Sequence, residues 1–130
     1  MISNEIQKLL SDITKSLIQS NEQDFEALIT GKSSVANLDL HRYEIFHKKI
    51  TSIEFSLSSF RGAFIDHSSF VNCSFVNCSF VTTTVNNTQF TNCTFTNCVF
   101  RSMYIEGNSI CNCAFENCYI EDNIFSTIAK

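Results

Sequence analysis

The sequence predicts an all-β solenoid in which the chain turns a corner every five residues. Three observations support this prediction: an unbroken period of five, a small residue two places before each large one, and a frequent asparagine two places after it. A helix repeats every 3.6 residues and a flat strand every two, so neither keeps a period of five on one side. The large positions are Phe55, Phe60, Ile65, Phe70, Phe75, Phe80, Val85, Phe90, Phe95, Phe100, Ile105, Ile110, Phe115, Ile120 and Phe125.

The small position of the repeat is mostly Ser, Ala, Thr or Cys, and it holds six of the seven cysteines. These are Cys73, Cys78, Cys93, Cys98, Cys113 and Cys118. Their spacing of five and fifteen follows the repeat and not a CxxC metal-binding motif. We therefore expect them to be reduced and buried, as small apolar residues of the core. The rings expected to stack with them are Phe75, Phe80, Phe95, Phe100 and Phe115.

The tandem segments SFVNC, SFVNC and SFVTT, followed by QFTNC and TFTNC, resemble the pentapeptide-repeat family over about residues 33–127. The resemblance implies a right-handed quadrilateral β-helix of about four to five coils, each with four sides of five residues. The segment from Lys48 to Thr127 does align in rows of twenty without gaps. The family usually has Ala, then Asp or Asn, before a central Leu. Here Cys or Ser precedes Ser or Thr and a central Phe, which changes the side-chain stacking more than the fold.

The first 32 residues lack the repeat and predict two helices. The apolar residues that form one side of the first helix are Ile6, Leu9, Leu10, Ile13 and Leu17. Ser3 or Asn4 would cap its start. The second helix is predicted from Glu22 to Ile29, with a capping-box pattern at Ser20 and Gln23. Because a solenoid end exposes core and unpaired strand edges, we expect residues 1–32 to cover it as a cap. A role in docking a partner is the alternative.

Composition excludes several classes of function. The net charge of -4 argues against direct binding of nucleic acid, which needs clustered Lys and Arg. A basic signal-peptide region and a run of about 20 apolar residues are both missing, so we expect a soluble, cytoplasmic protein without membrane contact. No phosphate-binding loop, nucleophile elbow or paired-carboxylate motif is recognisable, which predicts neither catalysis nor a cofactor.

Two other groups of residues could carry chemistry. His47 and His67 fall at equivalent positions one coil apart, with Asp66 beside the second. Two imidazoles without a third ligand make a weak metal site, so solvated corner residues are the preferred interpretation and no metal is predicted. Cys111 follows Ile110 and should therefore point outward, as the thiol most open to reagents.

Two adjacent sides of the predicted coil carry large and charged residues on the outside, whereas the other two are small and polar. Aromatic residues interleaved with Arg and acids are typical of a protein interface. The candidate partner-binding residues are Arg61, Phe64, Asp66, Arg101, Tyr104, Glu106, Tyr119, Glu121 and Ile124, with Val81 and Val99 expected to be exposed beside them.

The sequence therefore favours a non-enzymatic bacterial protein that neutralises or shields one protein partner, a toxin or an enzyme, as an immunity or protection protein does. The resemblance implies an alternative, since some pentapeptide-repeat proteins imitate DNA and protect type II topoisomerases. This chain has fewer coils, no evident C-terminal dimerisation helix and only a thin acidic stripe. A structural or assembly scaffold is the third hypothesis. The barely covered C-terminal coil also suggests a possible homodimer.

Overall fold

The fold is known from a computed structural model that describes residues 3–18 and 24–121. It confirms the all-β solenoid, with two N-terminal helices and sixteen short strands in the described residues. The helices are α1 (Asn4–Ser16) and α2 (Phe25–Ile29). The strands are β1 (Ser34–Ala36), β2 (Glu44–Phe46), β3 (Lys49–Thr51), β4 (Glu54–Ser56), β5 (Phe64–Asp66), β6 (Ser69–Val71), β7 (Ser74–Val76), β8 (Ser79–Val81), β9 (Thr84–Asn86), β10 (Gln89–Thr91), β11 (Thr94–Thr96), β12 (Val99–Arg101), β13 (Tyr104–Glu106), β14 (Ser109–Cys111), β15 (Ala114–Glu116) and β16 (Tyr119–Ile120).

The strands form four parallel sheets, which we call faces I to IV in the order in which the chain visits them. Each strand pairs with the strand twenty residues away, as in Phe75 with Phe95 and Phe95 with Phe115. About four coils stack in this register. Face I contains β1, β4, β7, β11 and β15; face II contains β8, β12 and β16; face III contains β2, β5, β9 and β13; face IV contains β3, β6, β10 and β14.

The corners between faces explain the recurring asparagines. Among residues 3–18 and 24–121, fifteen non-glycine residues have a positive φ, each at the position two after a central residue, and eight of them are Asn. An L-residue pays a steric cost in this left-handed region, and Asn tolerates it because its short amide bonds locally. The amides also form ladders between coils: Asn112 Nδ2 donates to Asn92 Oδ1 at 2.6 Å. Gly62, with φ of 70°, fills one corner without that cost.

Stacked phenylalanine rings fill most of the interior, and a coil adds at most one ring to each column. On face I, Phe75 lies parallel to Phe55 and Phe95, with ring centroids 5.1 and 4.8 Å away. Rings on face II meet this stack edge-on; Phe80 is 5.7 Å from Phe75. Face III differs from this aromatic pattern because its central residues are aliphatic, including the buried Ile65. Three aromatic columns and one aliphatic column therefore form the core.

The small inner residues pack in the core and also donate hydrogen bonds. Most of them, including all six repeat cysteines, reach the carbonyl of the central residue 23 positions earlier, on the preceding face of the coil below. Cys98 Sγ donates to the Phe75 carbonyl at 3.3 Å, and Thr83 Oγ1 donates to that of Phe60 at 2.8 Å. The contact with Cys118 lowers the pKa of Cys98, but contact with Cys78 and burial raise it, to about 12. The thiol thus keeps the proton that it donates.

The start of each helix is set by a capping side chain. Ser3 Oγ accepts from the Ile6 amide at 3.2 Å, which agrees with the predicted cap of α1. The second described helix begins at Phe25, because the Asp24 carboxylate accepts from the Ala27 amide at 2.8 Å. The predicted start at Glu22 and the predicted capping-box residues Ser20 and Gln23 lie outside the described residues.

The second helix covers the N-terminal end of the solenoid, which confirms the predicted cap. Phe25 is 2% exposed, and its ring stacks below Phe55 at a centroid distance of 6.3 Å. Lys48 occupies a position where most coils have a small residue, and its ammonium group pairs with Glu26 of α2. The cap thus explains why the first coil departs from the repeat. Neither described helix is long and apolar enough to cross a membrane.

The first prediction concerns the aromatic column of face I. Phe95→Ala should lower the free energy of unfolding by about 3 to 5 kcal/mol, because the stacked coils cannot close around the cavity. Ser74→Ala, on the outer side of the same face, should change it by less than about 0.5 kcal/mol. Denaturant unfolding of the two variants provides the measurement, and similar losses would refute the division into inner and outer positions.

A second prediction follows from the left-handed corners. Asn72 has a φ of 56°, so Asn72→Ala should destabilise the protein by about 1 to 2 kcal/mol. Asn72→Gly is the matched control, and it should recover most of this loss because glycine adopts a positive φ without steric cost. Equal unfolding midpoints for the alanine and glycine variants would show that the backbone conformation does not select asparagine here.

Candidate functional site

Face III carries the exposed aromatic residues of the solenoid. The exposed fractions of Phe46, Phe64 and Tyr104 are 39%, 44% and 70%. The other large exposed hydrophobic residues in the described chain are Ile18 and Ile120, which lie near its two ends. Exposed aromatic surface along the sides is therefore concentrated on one face.

At the edge between faces II and III, an arginine followed three positions later by an aromatic residue occurs twice, forty residues apart. Phe64 and Tyr104 both pair with Thr84, so they stand in one column two coils apart, at about 9.6 Å. Arg61 precedes the first aromatic residue by three positions, and Arg101 precedes the second in the same way. We call these two arginines and two aromatic residues the II/III edge.

The arginines and the nearby acids of the II/III edge differ in the contacts that they make. Neither Arg61 nor Arg101 forms an ion pair with an acid of residues 3–18 or 24–121. Asp66 instead contacts His67 Nδ1 at 2.9 Å through Oδ1, and Glu121 Oε1 accepts from the Ser102 amide at 2.8 Å. The two arginines therefore remain available to an external carboxylate, whereas these two acids already hold corner residues.

The described partner-binding candidates fall into two groups, exposed and half-buried. Arg61, Phe64, Tyr104 and Glu106 are exposed, and Asp66, Arg101, Tyr119 and Glu121 are half-buried, whereas Ile124 lies outside the described residues. The expected exposure of Val81 and Val99 is wrong: they are 9% and 0% exposed. The repeat correctly directs both side chains outward on face II, but it does not specify which other segment covers that face.

Phe46 was missed as a candidate although it lies on the same face as Phe64 and Tyr104. It pairs with Asp66 of the next coil. Both residues directly follow the central residue of their strand and point outward on face III. The signal was present in the segment YEIFH, because the residue after the central Ile45 points outward by the same rule as Asp66. The first coil departs from the repeat at other positions, and this hid the regularity.

The histidines form a stacked pair at the corner between faces III and IV. The His47 and His67 ring centroids lie 5.3 Å apart, and both residues have positive φ, as the predicted equivalent corner positions require. No group of three or more potential metal ligands occurs among the residues described. Asn87 Nδ2 donates to Asp66 Oδ1 at 3.3 Å beside the pair. The ring stacking and the contacts of Asp66 thus order the side chains at this corner.

Core residues become more accessible in the last described coil. Ile105, Ile110 and Phe115 are half-buried, whereas Val85 and Phe90, one coil earlier, are buried. An apolar opening lies between these residues at the C-terminal end of the described coils. The homodimer contact predicted for the C-terminal coil stays a prediction.

All seven cysteines are free thiols, and they differ in accessibility. Cys111 is exposed, as predicted, and Cys73, Cys78, Cys93 and Cys98 are buried. The expected burial is wrong for Cys113 and Cys118, which are half-buried in the last described coil. We expect one thiol to react rapidly with a small disulfide reagent in the native protein and all seven to react after unfolding.

Cys111→Ser should remove this rapid phase and leave unfolding unchanged. Persistence of the phase in the variant, or fewer than seven titratable thiols in freshly purified, unfolded protein, would contradict the packing account of the inner cysteines.

In comparisons with known proteins, the chain matches no family model and no curated protein. The candidate site therefore stands on its own geometry: an exposed aromatic face bordered by two arginines.

Proposed function

We propose that this chain is a non-enzymatic protein-binding module of the pentapeptide-repeat type, which neutralises or shields a protein partner as an immunity or protection protein does. One observation carries the proposal: Phe46, Phe64 and Tyr104 are exposed on a single face, beside two arginines without ion pairs to described acids. Folding does not require aromatic side chains at outward positions, where the equivalent residue Thr84 is small.

The residue types of the II/III edge suit a protein partner. Tyr and Arg are enriched among the residues that contribute most to binding energy, because they combine a large contact area with polar groups. Stacked parallel strands hold the backbone of Phe64, Arg101 and Tyr104 in a fixed register, so little conformational entropy is lost when the edge binds. A folded partner with acidic groups around an apolar patch would complement it.

The interior gives further support to a binding role. Large, fully buried side chains such as Phe55, Phe60 and Phe75 fill the space that a substrate cavity would need. The surface of the rod is therefore the place where recognition can occur.

The acid distribution favours a protein partner over imitation of DNA. Asp66 and Glu106 stand in one column of face III with Asn86 between them, which separates the two acids by about 10 Å. A DNA duplex carries about one charge per 1.7 Å of axis. Two acids at this spacing, one of which already contacts a corner residue, do not reproduce the charge density of a DNA duplex.

The test begins with capture of partners from native lysate, followed by titration of the captured protein with purified variants. Tyr104→Ala and Arg101→Ala should each weaken binding by more than about 1 kcal/mol while leaving the unfolding midpoint nearly unchanged. Gln89→Ala on face IV and Thr94→Ala on face I are the controls, and both should bind normally.

Binding that depended on Gln89 or Thr94, and not on Tyr104, would refute the proposed site. Capture of a type II topoisomerase whose binding is abolished by replacing the acids alone would favour imitation of DNA.

A further inference from the structure

The outer surface of face II is covered by another part of the chain. Ser59, Ser79 and Val99 stand in one outward column and are 6%, 4% and 0% exposed. On the neighbouring face I, the corresponding outward residues Ser74 and Thr94 are not buried. An outward side chain on a sheet loses almost all contact with water only when a second element packs against it.

The cover runs along the rod beside the corner between faces I and II. Leu57, Asn77 and Asn97, which occupy this corner in successive coils, are all half-buried. The residues at the III/IV and IV/I corners of the same coils, including the histidine pair, are exposed. The covering element therefore extends over at least three coils, nearly parallel to the axis of the rod.

Helix α1 has the position, length and apolar side that such a cover needs. The Ile18 amide donates to the carbonyl of Asn37, at the foot of the I/II corner, so α1 ends close to this corner. Its 13 residues span about 20 Å, the height of about four coils. Ile13 is 1% exposed yet does not belong to the interior core, so it is buried against an outer surface.

We propose that the outer surface of face II is a binding groove for an amphipathic helix, that α1 occupies this groove within the chain, and that the partner inserts an acidic amphipathic helix in its place. The last step rests on the proposed function, whereas the first two do not. Small residues such as Ser59 and Ser79 let a helix approach the sheet closely, and Val81 and Val99 supply the apolar contact.

The contacts of α1 are suited to displacement. Ile13 is its one fully buried residue, whereas Ile6, Leu9 and Leu10 on the same side are only half-buried. A helix of this length is marginal in water by itself, so its stability depends on the groove. The side away from the groove carries the exposed pair Lys8 and Asp12.

The charge beside the groove selects an acidic helix. Arg101 follows the central residue of β12 on face II, and Arg61 lies at the equivalent position of the repeat two coils earlier, in the turn after Phe60. Both are next to the column covered by the helix. Neither has an ion pair with α1 or another described segment. A partner helix with Glu or Asp along that flank would gain charge-assisted hydrogen bonds that α1 does not form.

The groove and its cover are tested by thiol labelling of the full chain in a Cys111→Ser background. Ser79→Cys places a thiol beneath α1, and Ser74→Cys places the matched control at the same position on face I. The thiol at position 79 should react at least tenfold more slowly than the one at 74. Adding Ile13→Asp should release α1 and remove most of that difference, while circular dichroism verifies the fold.

Equal reactivity of the two positions would show that the groove is open, and continued protection after Ile13→Asp would show that α1 is not the cover. Either result overturns the proposal. Failure to find a cellular partner would leave both labelling results unchanged, so the groove and the proposed function are judged separately.

The preference for an acidic helix is tested with a fluorescent peptide of residues 3–18. It should bind the full-length Ile13→Asp protein at least tenfold more tightly than the wild-type chain, whose groove is occupied, and Val99→Asp should abolish this binding. A peptide with Gln7→Glu and Thr14→Glu, two exposed positions on the flank of the apolar side, should bind at least threefold more tightly than the original, and Arg61→Gln with Arg101→Gln should remove this gain. Absence of binding refutes the groove, and absence of a charge preference refutes the acidic partner.

Discussion

The structure depends on one backbone constraint, the left-handed conformation that recurs at the corner of every five-residue side. Residues such as Asn72, Asn92 and Asn97 adopt φ near 55°, and this turns the chain onto the next face. Because each side has the same length, strands twenty residues apart fall into parallel register. The same turn fixes which residues point inward, so the aromatic columns, the inner donors and the outward columns all follow from it.

The interior combines apolar stacking with hydrogen bonds that a purely apolar filling would leave out. Buried Ser, Thr and Cys donate to carbonyls in the preceding coil, as Ser68 does to Ile45 at 2.9 Å. This dual requirement for small size and a donor accounts for the cysteines without a disulfide or a metal. A thiol offers weaker hydrogen bonding than a hydroxyl but buries more apolar surface beside a phenylalanine ring.

The outside of the rod has neighbouring faces that differ in exposure. Face III presents Phe46, Phe64 and Tyr104 to solvent, while the adjacent face II buries its outer valine and serine residues. In the proposed arrangement, these neighbouring surfaces form one binding region: the II/III edge is open, and α1 covers the groove beside it. Arg61 and Arg101 lie between the two surfaces and would contribute to both.

The sequence by itself determined the solenoid, the inward and outward positions and the alignment of Arg61, Phe64, Arg101 and Tyr104, because each depends on a short local period. It narrowed the cap of α1 to Ser3 or Asn4, and the structure selects Ser3. It could not determine that Val81 and Val99 are buried or that Phe25 stacks below Phe55. It also missed the donor role of the inner cysteines. Packing between segments distant in the chain decided the covered face, the end cap and the donors' carbonyl partners. A five-residue period specifies the direction of a side chain, whereas burial and bonding depend on what the tertiary structure places against it.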